Sequence, residues 1–266
     1  MSEVFYLYGF VSADATLPER GLAGLADASV ELVPLDGVAA VVSRLPAADY
    51  APERLDERTR DLPWVAEQGL AHERVVAWFV DHAQILPVAL FTLYSSRATL
   101  VEDAARRGPA LRAALARMAG KREWDLKVAY AGDRLAEHLG EVSEAVAELD
   151  RRIAEATPGT RFLLQRKRDE VVEAETARTA RRLAGELLDS VVADADRFVL
   201  VPVGASEGTL PVVLNAALLL TLEAESRVEE RVRRRAVALE KLGLHVSFSG
   251  PWAPYRFLEE TSADAG

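Results

Sequence analysis

The sequence contains no cysteine and only four histidines, at positions 72, 82, 138 and 245. The absence of cysteine excludes disulfide bonds, thiol nucleophiles and thiolate metal sites. Zinc sites built from protein side chains alone usually combine several histidine and cysteine ligands, which this chain can hardly supply. We therefore expect neither a metal nor a cofactor.

Long hydrophobic runs and an N-terminal targeting signal are also missing. The longest apolar stretch, residues 210–222, is interrupted by Pro211 and Asn215 and is shorter than the roughly 20 residues that span a bilayer. The N-terminus is aromatic and lacks the basic region that begins a signal peptide. The sequence therefore predicts a cytoplasmic protein without a transmembrane segment.

The chain does contain enough apolar sequence for a sizeable core. Half of its 266 residues are hydrophobic, 28% are charged, and the net charge is −10 at pH 7. These proportions are typical of globular proteins with one large domain or two ordinary ones. Phosphate binding needs a concentrated basic surface, so we expect no nucleic-acid partner.

The N-terminal third predicts a first domain of mixed strands and helices, residues 1–120, that ends at Gly120. A turn sequence at 34–37 joins two strands as a hairpin, and apolar residues three and four apart predict a long helix. The predicted elements are strands over 4–11, 28–33 and 38–43, a helix over 62–82, a strand over 85–94, and helices over 98–106 and 110–118 that Gly108-Pro109 separates.

The second predicted domain, residues 121–260, carries a long helical hairpin at about 133–193. Apolar residues from Leu135 to Ile153 alternate steps of four and three, Pro158-Gly159 interrupts them, and residues 161–192 bring a matching seam. Two such helices joined by a tight turn pack antiparallel. The remaining predictions are strands over 124–130, 198–203, 210–220 and 244–249, a helix over 224–242 capped by Gly243, and a disordered tail over 261–266. The pattern predicts an α+β fold with helices on one face of an antiparallel sheet.

One segment matches the pattern of a serine hydrolase. Residues 204–208 read Gly-Ala-Ser-Glu-Gly, the G-x-S-x-G arrangement in which a turn from strand to helix exposes the serine hydroxyl. A strand is predicted before this segment, but residues 209–213 after it predict a second strand in place of the required helix. A hydrolase would use Ser206 and His245, with Glu223 as the acid. A glycine-rich loop between two strands fits the context better.

Three other patterns have structural explanations. His72-Glu73 forms half of a zinc motif, but Val76 occupies the position of the second histidine, so we expect His72 in the core. Arginines at 231 and 233–235 alternate with glutamates, which indicates a solvated helix face. Residues 250–257 hold two prolines and three aromatic residues, typical of a rigid segment that covers a sheet or presents an aromatic surface to a partner.

The same C-terminal residues carry a resemblance to a known family. Gly250-Pro251-Trp252-Ala253-Pro254-Tyr255-Arg256-Phe257 resembles the G-P-W-P-P-Y-x-F signature of the gas vesicle protein F/L family. Shorter matches follow the family's order over nearly the whole chain: Tyr6-Leu7-Tyr8-Gly9, residues 40–43, His72-Glu73, Ile85-Leu86-Pro87, Gly120 to Trp124 with Glu123 and Lys127, residues 158–163, and residues 215–219. The chain departs from the family at residues 87–92, where the usual P-x-R-F-G-T loses both its arginine and its glycine.

The resemblance implies a modified ferredoxin-like N-terminal domain and a second α+β domain that carries the hairpin. It also implies a protein of gas vesicle assembly without catalytic activity. Such a protein binds the small hydrophobic shell protein and other accessory proteins, either as a minor vesicle component or as an assembly chaperone. Its role corresponds either to that of protein F or to that of protein L of the family. Two alternatives stay open from the residues alone: the hydrolase on Ser206 and His245, and a scaffold that self-associates through the hairpin.

Overall fold

The computed structural model describes residues 3–203 and 210–258, which divide into two compact units. The first unit holds residues 3–123 together with 251–258, and the second holds the described residues between 124 and 250. The sequence had assigned the C-terminal segment to the second domain. The structure groups it with the first unit because Ala253 is buried in that unit's core.

The first unit is built on an antiparallel sheet with the strand order β2-β3-β1-β4, and the short β5 also pairs with β1. The predicted hairpin forms between β2 and β3, where the N–H of Leu35 donates to the carbonyl of Val38 at 3.0 Å. The elements are β1 (Glu3–Ser12), β2 (Val30–Pro34), β3 (Val38–Pro46), α1 (Pro52–Arg58), α2 (Leu62–His82), β4 (Ile85–Pro87), β5 (Leu93–Tyr94) and α3 (Arg97–Met118).

Helices cover both faces of this sheet, although the sequence predicted helices on one face. Tyr6 and Tyr8 of β1 share a core with Val76 and Phe79 of α2, whereas Phe10 of β1 meets α3, where Arg107 lies over its ring. The signal was present in the sequence, because consecutive apolar residues along β1 and β3 are typical of strands buried on both faces.

Two predicted boundaries in the first unit are wrong. Residues 97–118 form a single helix that runs through Gly108-Pro109, because its apolar residues from Leu100 to Met118 bury one continuous face. The predicted strand over 85–94 is two short strands, and Phe91 between them adopts a φ of +64°. No strand can continue through a residue in that left-handed conformation.

The second unit has a four-stranded sheet with the order β7-β8-β6-β9 and helices on one face. Its core joins alternate residues of β6 and β8 to the apolar faces of α6 and α7. Gly243 follows α7 with a φ of +89°, as expected for the glycine after a helix. The elements are β6 (Lys121–Tyr130), α4 (Gly132–Val142), α5 (Glu144–Glu155), α6 (Pro158–Val192), β7 (Arg197–Leu200), β8 (Val212–Thr221), α7 (Leu222–Lys241) and β9 (Leu244–Trp252).

The β-α-β-β-α-β succession of ferredoxin-like folds occurs in the second unit, whereas the resemblance implied a modified ferredoxin-like fold for the first. The first unit has the same strand order, 2-3-1-4. However, between β1 and β2 its only helical residues form the 3-10 turn Leu25–Asp27. The first unit thus has the strand order of a ferredoxin-like fold and differs from it in the first crossover, which contains no α-helix.

The predicted hairpin contains three helices instead of two. The chain turns at Ser143, which separates α4 from α5, and both helices pack against α6. The second helix of the hairpin, predicted over 161–192, begins earlier. Pro158 lies in the first turn of α6, where a proline is compatible with the helix. The pair of α5 and α6 runs antiparallel, with Asp150 ion-paired to Arg168.

Candidate functional site

The C-terminal signature lies mainly inside the first unit. Ala253, Pro254 and Phe257 are buried, and the chain closes in a 3-10 turn over Tyr255–Phe257. Trp252 is the most accessible aromatic residue of the signature, at 42% exposure. The segment therefore contributes apolar surface to the core, and only one of its aromatic side chains is well placed for a partner.

Two carboxylates hold the signature in place, and we call Glu73, Glu123, Tyr255 and Arg256 the C-terminal clamp. The hydroxyl of Tyr255 donates to Glu73 Oε1 at 2.7 Å, and burial together with this carboxylate raises the pKa of Tyr255. The backbone N–H of Arg256 donates to Glu123 Oε2 at 3.0 Å, and its guanidinium pairs with the same carboxylate. Glu123 is 2% exposed, so this ion pair is largely desolvated.

His72 precedes Glu73 of the C-terminal clamp in the chain. Its side chain is buried in the core, as the sequence predicts. The hydroxyl of Tyr6 accepts the N–H of Phe91 at 3.3 Å and contacts His72 Nδ1 at 2.7 Å, so we assign the ring proton to Nε2. Nε2 makes no hydrogen bond of standard geometry among the described residues, and the backbone of Val88 is the polar group that partly offsets the burial of the ring. Burial lowers the pKa of His72 to about 4, which keeps the ring neutral at pH 7.

The other two residues of the Glu-Trp-x-x-Lys motif have separate surroundings. Trp124 is 8% exposed, stacks on Phe248 with ring centroids 4.8 Å apart, and donates its indole N–H to Glu225 Oε1 at 3.0 Å. Lys127 is exposed. The structure therefore brings Glu73 and Glu123 together with Tyr255 and Arg256 of the signature.

The altered family segment has a structural explanation that the sequence did not reveal. Phe91 stands where the P-x-R-F-G-T pattern has glycine, and its left-handed φ of +64° is the conformation that glycine adopts without strain. The ring of Phe91 stacks on Trp64, with centroids 5.4 Å apart and planes within 4°, and Arg58 lies over the same indole. The stack is a contact that glycine could not make at this position.

The catalytic candidates do not form a site among the described residues. Ser206 and its Gly-x-Ser-x-Gly segment lie outside the part of the chain that the structure describes, while His245 and Glu223 are exposed. Residues 3–203 and 210–258 contain no group of three side chains able to hold a metal ion. Over the same ranges, none of the helices has the length and apolarity required to cross a bilayer.

The most exposed large hydrophobic side chains belong to α2. Leu62 is 74% and Leu70 69% exposed. Ala66 lies between them at helical spacing, and a side chain built on the neighbouring Gly69 would meet no atom within 4 Å. We call Leu62, Ala66, Gly69 and Leu70 the α2 docking face. It is apolar and exposed, with open space at Gly69.

Comparisons with known proteins agree over nearly the whole chain. The family described as "Gas vesicle synthesis protein GvpL/GvpF" matches residues 4–259. Gas vesicle protein L of Streptomyces sp. (strain CB03234) is 32% identical over 250 residues, which are 92% of this chain and 88% of that protein. Gas vesicle protein L2 of Halobacterium salinarum is 28% identical over 252 residues, 91% of this chain and 85% of the relative.

Solved structures show the same fold. The crystal structure of GvpF from Anabaena sp. PCC7120 matches with a TM-score of 0.69 at 18% identity, over 97% of this chain and 98% of that one. GvpF from Microcystis aeruginosa matches with a TM-score of 0.65 at 17% identity, over 96% and 98%. The matched descriptions name gas vesicle proteins and no enzymatic activity. The chain belongs to the gas vesicle GvpL/GvpF family.

Proposed function

We propose that this protein is a cytoplasmic accessory factor of gas vesicle assembly, that it binds the small hydrophobic shell protein, and that it is not an enzyme. The α2 docking face is the observation that carries the proposal. It presents the two most exposed large apolar side chains of the described residues, next to a glycine and an alanine. Exposed apolar patches of this kind mark protein interaction sites.

The opposite side of α2 keeps the docking face rigid. His72, Val76 and Phe79 are buried against the sheet, and Glu73 on the same helix is held by Tyr255. A helix fixed on one side loses little conformational entropy when a partner packs on the other. In this proposal the C-terminal signature acts on binding indirectly, by supporting the unit that presents the face.

The chemistry of the face fits a small hydrophobic partner. Small residues at Ala66 and Gly69 allow a second helix to approach closely, and the two leucines can enter its grooves. Burying a leucine contributes about 1.5–3 kcal/mol, so the pair can strengthen binding by roughly 10²- to 10⁴-fold. The same face would keep the shell protein from self-association during assembly, either transiently or within the vesicle, together with other accessory proteins.

Binding to purified shell protein tests the proposal. We expect capture at micromolar concentration by the wild type and at least tenfold weaker capture by the double variant Leu62→Glu, Leu70→Glu. Val237→Glu is the matched control, because Val237 is a 55% exposed apolar residue on α7. Failure of the wild type to bind would refute the function. Equal binding by the double variant would refute the α2 docking face alone.

A further inference from the structure

Helix α6 separates its charges along its length. Its first eleven residues, 158–168, carry four basic residues and no acidic one, whereas residues 169–177 carry four acidic residues and no basic one. The buried residues of α6 begin only at Thr179. Before it only one side of the helix is partly buried, where Val171 and Val172 pack against the core, and we call residues 158–177 the α6 arm.

The arm has an unpartnered face opposite α5. Arg168 points to α5, where it pairs with Asp150, and Phe162 and Leu163 on other sides of the helix are 68% and 67% exposed. A seam of residues spaced by four and three runs along this open face, with charged side chains at its centre and Leu163 as its one large apolar side chain. Its residues are Gly159, Leu163, Arg166, Glu170, Glu173 and Ala177.

We propose that the α6 arm binds the α6 arm of a second copy of this chain in an antiparallel pair, with the two-fold axis near residue 168. In that register Arg166 of each copy faces Glu170 of the other. Leu163 faces Glu173, and Gly159 faces Ala177. The seam maps onto itself, as a two-fold interface requires. The proposal is independent of the shell-protein function.

Charge complementarity singles out a second copy as the occupant. The basic half of one arm lies along the acidic half of the other only when the helices run antiparallel, and a parallel pair would place like charges opposite each other. Arg166 and Glu170 are 3.8 Å apart, with side chains 78% and 71% exposed.

The size of the contact predicts a weak, salt-sensitive dimer. Five turns of two helices bury less than the about 800 Å² per partner of standard interfaces, so we expect a dissociation constant of roughly tens of micromolar. Exposed charges are screened as the Debye length falls from about 10 Å at 0.1 M salt to about 3 Å at 1 M. The dimer should therefore dissociate as salt is raised.

Sedimentation of the full-length protein at 5–300 μM, in low and high salt, tests the proposal. The wild type should form dimers at low salt, and Arg166→Glu should weaken them at least tenfold. The double variant Arg166→Glu, Glu170→Lys exchanges the two charges and keeps the pair within the helix. It should restore association to within about threefold of the wild type, because the charges facing each other are again opposite.

Arg234→Glu is the matched control, since Arg234 on α7 is also exposed and also lies one turn from a glutamate, Glu230, at 3.4 Å. It should dimerise as the wild type does, and circular dichroism should show equal helix content in all variants. A wild type that stays monomeric at 300 μM in low salt would overturn the proposal. So would a dimer insensitive to Arg166→Glu, or a charge-exchanged variant as dissociated as the single one.

Discussion

Replacing Glu123 by glutamine should destabilise the first unit by about 2 kcal/mol. Breaking a buried ion pair costs about 3–5 kcal/mol when the remaining charge stays buried. Arg256 is 38% exposed at its side chain and can be rehydrated. Glutamine also keeps an acceptor for the Arg256 N–H. Both facts reduce the expected loss to about 2 kcal/mol.

The same substitution at Glu31 isolates the effect of burial. Glu31 accepts two hydrogen bonds from Arg44, at 3.0 and 2.7 Å, so its local geometry resembles that of Glu123. The side chains of Glu31 and Arg44 are 40% and 49% exposed, and exposed pairs contribute little. We expect Glu31→Gln to change the free energy of unfolding by less than about 0.5 kcal/mol.

Two measurements check the comparison. Urea denaturation followed by circular dichroism gives the free energy of unfolding, and hydrogen exchange of residues 253–258 reports local opening of the signature. Glu123→Gln should lower the free energy of unfolding and accelerate hydrogen exchange of residues 253–258. Glu31→Gln should leave both quantities unchanged. Equal effects of the two substitutions would refute the argument that burial makes the C-terminal clamp strong.

Two further predictions concern Phe91 and His72. Both Phe91→Gly and Phe91→Ala lose the stack on Trp64, but only glycine relaxes at a φ of +64°, so the glycine variant should be more stable by about 1 kcal/mol in thermal unfolding. An alanine variant of equal stability would exclude backbone strain. Because the pKa of His72 falls from 6.5 to about 4 on folding, only the unfolded chain takes up its proton between these values. The free energy of unfolding should therefore decrease as pH falls from 6.5 towards 4, by up to about 1.4 kcal/mol per pH unit. Urea titrations at each pH measure this slope, and His72→Gln should reduce it. An unchanged slope in the variant would refute the lowered pKa of His72.

Much of the local structure was predictable from the sequence. Periodic apolar residues placed α2 over 62–82, at the bounds observed, and the turn at 34–37 predicted the hairpin of β2 and β3. Errors arose where tertiary packing outweighed local preference. Gly108-Pro109 usually ends a helix, yet α3 continues through it because both of its ends pack on the same sheet.

The candidate site was predictable only in part. The sequence singled out His72, Glu73, Glu123 and the signature, and the structure shows that the two glutamates hold that signature. The sequence could not show that the signature is mostly buried, because aromatic residues fit an exposed surface equally well. It also missed the stack of Trp64 on Phe91, since 27 positions separate the two residues and neither belongs to a recognisable motif.

The sequence by itself determined the family, the α+β class and the absence of cysteine chemistry, because these depend on residue types and on their order. Only the tertiary structure decided which faces stay open. The exposure of Leu62 and Leu70, and of Phe162 and Leu163, depends on how far the neighbouring elements reach over them. An apolar residue at helical spacing has the same pattern whether it lies in a core or on a docking face, and only the surrounding chain distinguishes the two.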